Sequence, residues 1–188
     1  GASTSARTSD PPTVAASVLQ AEKEVIGNYY VLSVHKLCPP VIRAILDSGD
    51  VRVNGLICPG HVSAVVGSSS WDFIAREYGI PCVVSGFEPL DILQTVQMLV
   101  NQLEKGESRV EIAYRRGVTA EGNRRALEIM YQVFEPCPAR WRGVGAVAGS
   151  GLGLRDAYRR FDAEDAFEFD PGPTVEPKGC ICGEVLRA

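Results

Sequence analysis

The sequence predicts an α/β protein: an open, mostly parallel sheet with helices on both faces, followed by a smaller irregular C-terminal region. Two observations carry this. Apolar, β-branched runs alternate three times with helical patterns over short connections, which is the pattern of a parallel sheet with right-handed crossovers. In addition, two runs, Cys58-Pro59-Gly60-His61-Val62-Ser63 and Gly86-Phe87-Glu88-Pro89-Leu90-Asp91, each follow a strand-like stretch and precede a helical one. In an open α/β sheet that position is the carboxyl end of a strand, where loops line the ligand crevice.

The elements follow in order. Residues 13–25, with Val14, Val18 and Leu19, read as a helix. Residues 29–34 read as the first strand, and Pro39-Pro40 then opens a helix with Val41, Ile42, Ile45 and Leu46 on one face, since proline suits a first turn. Residues 53–58 are the second strand. Residues 70–76 form a capped helix stopped near Gly79, and residues 82–85 the third strand. Residues 88–104 make the longest amphipathic helix, with Leu90, Leu93, Val96, Val100 and Leu103 three and four apart. The three strands, near Val31, Ile57 and Val83, are expected to pair in parallel.

After Gly106 the character changes. Residues 109–114 fit a strand and 121–134 a helix, which Pro136-Cys137-Pro138 breaks. The glycines from Gly143 to Gly153 read as loops or short strands. They form no dinucleotide or phosphate-loop fingerprint, because the strand–turn–helix context and the partner residues are missing. The expected organisation is a disordered lead-in over residues 1–10, an α/β domain over 11–106, an α/β or α-rich extension over 107–169, and a linker with a C-terminal tail over 170–188.

The 188 residues are 45% hydrophobic and 22% charged, ordinary for a globular protein. A net charge of −4 argues against a general nucleic-acid binder. The local basic clusters, Arg115-Arg116 among them, read as solvated surface. No apolar stretch is long enough to span a membrane and no secretory signal is visible. The six cysteines are therefore expected as reduced thiols in a cytoplasm, with Cys82 in the core.

Few residues can carry chemistry. His61, after a Pro-Gly turn, could ligate a metal, act as a base or donate to an anion, or else cap the helix start. His35 has the same placement after a strand, and these are the chain's two histidines. Glu88 and Asp91 fall in the first turn of the long helix. They suit proton transfer or cation binding, or simply favour the helix dipole. The topology predicts that His61 and Glu88 share one crevice at the carboxyl ends of the second and third strands, with His35 nearby. Cys180-Ile181-Cys182 is a weak metal signal, since structural zinc sites use four ligands at wider spacing.

Several runs then occur together in one order: His35-Lys36-Leu37 with Pro39-Pro40, Pro59 to Ser63, Gly86 to Leu93, Arg140-Trp141-Arg142-Gly143, Tyr158 to Glu164, and Cys182-Gly183-Glu184-Val185-Leu186. From about Pro11 onward the set resembles the HypD family of NiFe-hydrogenase maturation proteins. The resemblance implies a cytoplasmic scaffold that assembles iron with cyanide and carbonyl ligands. It implies a small HypC-like chaperone and a HypE-like cyanide donor as partners. It also implies a 4Fe–4S cluster near the C-terminus, with Cys182 matching its first cysteine. The family's Cys-Gly-Gly-His and Gly-Pro-Gly-Cys-Pro-x-Cys motifs are absent here, as are the other three cluster cysteines. The chain therefore looks like the middle and late part of a HypD protein, lacking a complete cluster site. The readings that compete are a stand-alone α/β enzyme using His61 and Glu88 on a small polar substrate, and a protein-interaction module.

Overall fold

The structure, a computed structural model, describes residues 10–168, 172, 175 and 177–186. In chain order the elements are α1 (Pro11–Lys23), α2 (Cys38–Asp47), β1 (Leu56–Pro59), α3 (Gly60–Val66), a 3₁₀ turn (Ser68–Trp71), α4 (Asp72–Tyr78), β2 (Cys82–Ser85), α5 (Pro89–Glu104), β3 (Val110–Ile112), α6 (Arg124–Val133), β4 (Phe134–Trp141), β5 (Gly145–Leu154), a 3₁₀ helix (Asp156–Phe161), α7 (Ala163–Ala166) and α8 (Cys182–Val185). They fall into two units. One holds the described residues up to Val41 together with Arg125–Gly183, and the other holds Ile42–Arg124 with the described residues from Glu184 onward. Apart from Asp10, the lead-in expected over 1–10 lies outside the described residues, as does much of the linker expected after residue 169.

The second unit contains the parallel sheet, in the order β1-β2-β3, flanked by helices as the α/β reading requires. Pairing runs from Leu56↔Cys82 to Pro59↔Ser85 and from Cys82↔Val110 to Val84↔Ile112. The central strand is buried along its whole length, the expected state of a parallel strand covered on both faces. Below the sheet, fully buried Trp71 donates its indole N–H to Ser63 Oγ at 2.8 Å. Ser63 in turn donates to the Pro59 carbonyl at 2.8 Å. This ties the first turn of α3 to the end of β1.

The membership of that sheet differs from expectation. The stretch around Val31 is not one of its strands. Val31 makes a single parallel bridge to Asp162 in the first unit, with its N–H donating to Phe161 O at 2.7 Å. The third strand is β3, within residues 109–114. The physical reason is that a β-branched run specifies an extended conformation but not its partner. Here the partner is a 3₁₀ end that covers Val31 and leaves Leu32 and Val34 exposed.

The first unit is built on an antiparallel hairpin, β4–β5. Its core joins α1 (Ala15, Val18, Ala21) to Val133, Phe134, Leu152 and Phe161. Pro136 and Pro138 do not end the ordered structure. They lie inside β4, where the register shifts between Cys137 and Ala139. Proline is tolerated because β4 is an edge strand, while the other side of β5 receives Leu37 N–H on Ser150 O at 2.8 Å.

Helix α5 turns unusual faces inward and outward. Thr95, Gln102 and Asp91 are buried, whereas Leu90, Leu93, Val96, Val100 and Leu103 are exposed. The apolar stripe read from the sequence thus points away from the body of the unit.

Candidate functional site

The site is assembled at the carboxyl ends of β1 and β2, which lie side by side through the pair Pro59↔Ser85. His61 stands exposed in the first turn of α3, and Glu88 stands exposed just before α5. The Phe87 ring, from the residue before Glu88, lies against the His61 imidazole, with centroids 5.2 Å apart and planes tilted by 44°. Phe87 is itself 71% exposed, a large aromatic held at the mouth of the site rather than in a core.

Glycine makes this convergence possible. A Cβ on Gly60 would overlap the Ser85 carbonyl oxygen and come within 2.9 Å of the Tyr114 ring. One on Gly86 would overlap the Asp91 carboxylate and lie 2.9 Å from the other side of that ring, and one on Gly117 would be 2.6 Å from it. Three glycines from three segments therefore admit one aromatic ring, and only residues without a side chain fit there.

On this floor sits a charge cluster. Arg116 grips Asp91 with both nitrogens, Nη1 to Oδ1 at 2.9 Å and Nη2 to Oδ2 at 2.7 Å. It also reaches Glu88 at 3.1 Å and stacks over Tyr114 with its guanidinium carbon 4.6 Å from the ring centroid. A planar guanidinium is suited to both contacts at once. Asp91 is buried, while Arg116 and Glu88 remain about half and three-quarters exposed. The Arg116 guanidinium holds the Asp91 carboxyl below its usual range, against the opposing effect of burial. Asp91 correspondingly raises the pKa of Arg116. Behind them Thr95 Oγ1 lies 2.7 Å from the Asp91 carbonyl and 2.8 Å from Ser85 Oγ, fixing the first turn of α5 to the end of β2.

This geometry assigns roles to the two acids. Glu88 occupies the N-cap position of α5 in extended backbone, yet its side chain makes no capping bond; its carboxylate is turned to Arg116 instead. Asp91 is a buried anchor for Arg116. What the mouth offers to a ligand is an imidazole, an aromatic face, a carboxylate and a half-exposed guanidinium.

His61, Glu88 and Asp91 thus come together, and His35 belongs to the other unit. His35 does not end a strand of the parallel sheet, because its segment pairs with β5, where Leu152 N–H donates to His35 O at 3.3 Å. Its Nδ1 is 3.2 Å from Ser33 Oγ and its ring meets Phe134 edge-on at 5.3 Å. Arg116, read from the sequence as solvated surface, is instead the organising cation. Arg116 and Tyr114 were invisible to motif reading because Asp91, Gly60 and Gly86, which they meet, lie far along the chain.

Cys182 opens α8 and is seated in the first unit. A Cβ on Gly143, whose φ is +78°, would be 2.6 Å from Gly183 N and 2.9 Å from the Cys182 carbonyl carbon. The turn after Trp141 is therefore shaped to the Cys182-Gly183 backbone. Among the described residues no group of three or more His, Cys, Asp or Glu is placed to hold a metal ion. A 4Fe–4S cluster is usually held by four thiolates, and Cys180 and Cys182 do not complete such a set. Contact with Cys82, then burial, pushes Cys58 far up; burial raises Cys38; and burial, then Glu135 and Glu164, raises Cys137. Among the described residues no helix is long and apolar enough to cross a membrane.

The HypD family model, described as the hydrogenase formation hypA family, matches residues 7–188. The chain is similar to the hydrogenase maturation factor HypD of Rhodobacter capsulatus, 42% identical over 180 residues, covering 93% of this chain and 48% of that protein. It is similar to HypD of Cupriavidus necator, 41% identical over 187 residues, covering 96% and 49%. HypD of Escherichia coli is 40% identical over 178 residues, covering 93% and 47%. The chain spans about half the length of these curated relatives. With a family match along nearly all of its residues, and with the runs Pro59–Ser63 and Gly86–Asp91 forming one site, the chain belongs to the HypD family of hydrogenase formation proteins.

Proposed function

We propose that this chain serves as part of a scaffold in NiFe-hydrogenase maturation, and that the His61–Phe87–Glu88–Arg116 mouth positions an iron unit carrying cyanide and carbonyl ligands. The observation that carries the reading is the mouth itself: exposed polar groups held beside a half-exposed Arg116, which is anchored on the buried Asp91 and stacked on a glycine-lined tyrosine. The iron unit is the cargo. Its cyanide nitrogens are anionic hydrogen-bond acceptors, and the Arg116 N–H groups and a His61 N–H are donors of matching chemistry. Glu88, partnered with Arg116, limits the net positive charge so that cargo can leave as well as bind. Phe87 offers an apolar face to a carbonyl ligand. In this reading a HypC-like chaperone and a HypE-like cyanide donor meet the scaffold in the cytoplasm. The 4Fe–4S chemistry of the family requires thiolates beyond Cys180 and Cys182.

The test uses a chimera in which this chain replaces the matched half of the Cupriavidus necator relative. His61→Ala and Glu88→Gln are introduced, and maturation and thermal unfolding are measured on the same proteins. Maturation is expected to fall roughly tenfold or more, as misplacement of a bound group does, with the melting temperature unchanged. A loss of stability that tracks the loss of maturation would make these residues structural caps and end the proposal.

A further inference from the structure

Helix α5 is held in an orientation that its apolar residues alone would not choose. Its inward polar groups are all matched. Asp91 is held by Arg116, and Thr95 sits against Ser85. Gln102 donates to Glu111 at 3.0 Å while its Oε1 accepts the Arg109 N–H at 3.0 Å. Rotating the helix to bury its leucines would strand these groups without partners, at a cost comparable to what the leucines would gain. The outward stripe is therefore a fixed property of the fold. Leu90 is 78%, Leu93 66%, and Val96, Val100 and Leu103 about 45% exposed.

Leu93, Val96, Val100 and Leu103 are spaced three, four and three apart, the seam spacing of helices that pack on one another. The residues between and beside them, Ile92, Gln94, Gln97 and Asn101, carry no charge, and Glu104 marks the C-terminal end of the stripe. Depletion of charge around a large apolar patch marks the core of an interface. The occupant is indicated by length. The curated relatives match this chain over only 47–49% of their own residues, so each holds a comparable stretch outside the match. A permanently covered, uncharged face suits a segment of the same polypeptide, since a face that is repeatedly bared would need polar residues to stay soluble.

We propose that the outward face of α5 is the seat on which the other half of a HypD chain packs. The inference rests on family membership and not on the cargo proposed above. Leu93→Cys in this chain, and a cysteine at the aligned position of the intact Cupriavidus necator relative, are labelled with a water-soluble maleimide and mapped by peptide mass spectrometry. Labelling is expected to be at least about tenfold slower in the intact relative, as burial of the position requires. Equal rates would overturn the proposal. A thiol at position 93 that is already protected in this chain, with a mass that doubles as concentration rises, would assign the face to a second copy and overturn it too. A second measurement uses Leu93→Glu with Val100→Glu. The pair is expected to leave the melting temperature of this chain unchanged, and to lower that of the relative, at the aligned positions, by about 5 °C or more. An unchanged relative would count against the proposal.

Discussion

Two pairs of distant segments are brought together in this molecule, and they differ in what they complete. At the ends of β1 and β2, the runs around His61 and Glu88 meet over Tyr114, and a third segment supplies Arg116. At the hairpin turn after Trp141, the run around Gly143 receives Cys182-Gly183. Both use glycine in the same way, to let backbone approach backbone or ring. Only the first, among the described residues, closes a full set of charges. Close approach is thus a property of the fold, whereas a working constellation needs side chains from additional segments.

The largest effect is expected at Gly60. Gly60→Ala places a methyl into the Ser85 carbonyl and is expected to cost about 2–4 kcal/mol, as overpacking against fixed backbone does. Urea unfolding in a Trp141→Phe background, followed by Trp71 fluorescence, measures it. Gly143→Ala is expected to loosen the Cys182 segment without moving that transition, and a shared loss would show that the two regions are not separable in this way.

Next comes the Arg116 clamp. The folded-state pKa of Asp91 is depressed below its ordinary 3.8. Its contribution to stability is therefore fully present above that value and lost as pH falls through the lower folded value. Arg116→Met is expected to remove this segment of the acid unfolding profile, measured as melting temperature between about pH 5 and pH 2. An unchanged profile would mean that Asp91 is not held by Arg116 in solution.

Metal loading tests the Cys182 region. After anaerobic reconstitution and desalting, iron and sulfide analysis is expected to show no stoichiometric 4Fe–4S cluster in this chain. Cys182→Ser is then expected to change neither value, because two thiols fall short of the usual four. A retained cluster lost in Cys182→Ser would reverse the contrast between the two regions.

The smallest effect is expected at Arg125, whose i,i+3 pair with Glu128 is largely exposed on both sides. Arg125→Ala should shift stability by less than about 0.5 kcal/mol, since exposed pairs are worth little. A larger loss would indicate that exposure is a poor guide to which arginines matter here.

Much of this architecture was legible from residue order. Alternating apolar periods specify β1, β2 and the helices between them, because a strand buried on both faces has few other compositions open to it. Placement of His61, Glu88 and Asp91 at strand ends follows from the same alternation and from glycine and proline, which act locally on φ. What was not legible shares one physical feature: it depends on the choice among partners distant in sequence. The stretch at Val31 was recognisable as extended, yet its neighbour is Asp162 rather than β1. Arg116 looked like any solvated arginine until folding set it against Asp91, 25 residues away.

Helix α5 divides the two kinds of information most clearly. Its sequence alone determined that it is a helix with one apolar and one polar face, since both follow from the 3.6-residue period. Which face turns inward was decided only by the tertiary structure. There Arg116, Ser85, Glu111 and the Arg109 N–H waited with the complementary hydrogen-bonding groups. A buried polar face is tolerable only when every group on it is partnered, and no pattern within one helix can announce partners supplied by other segments.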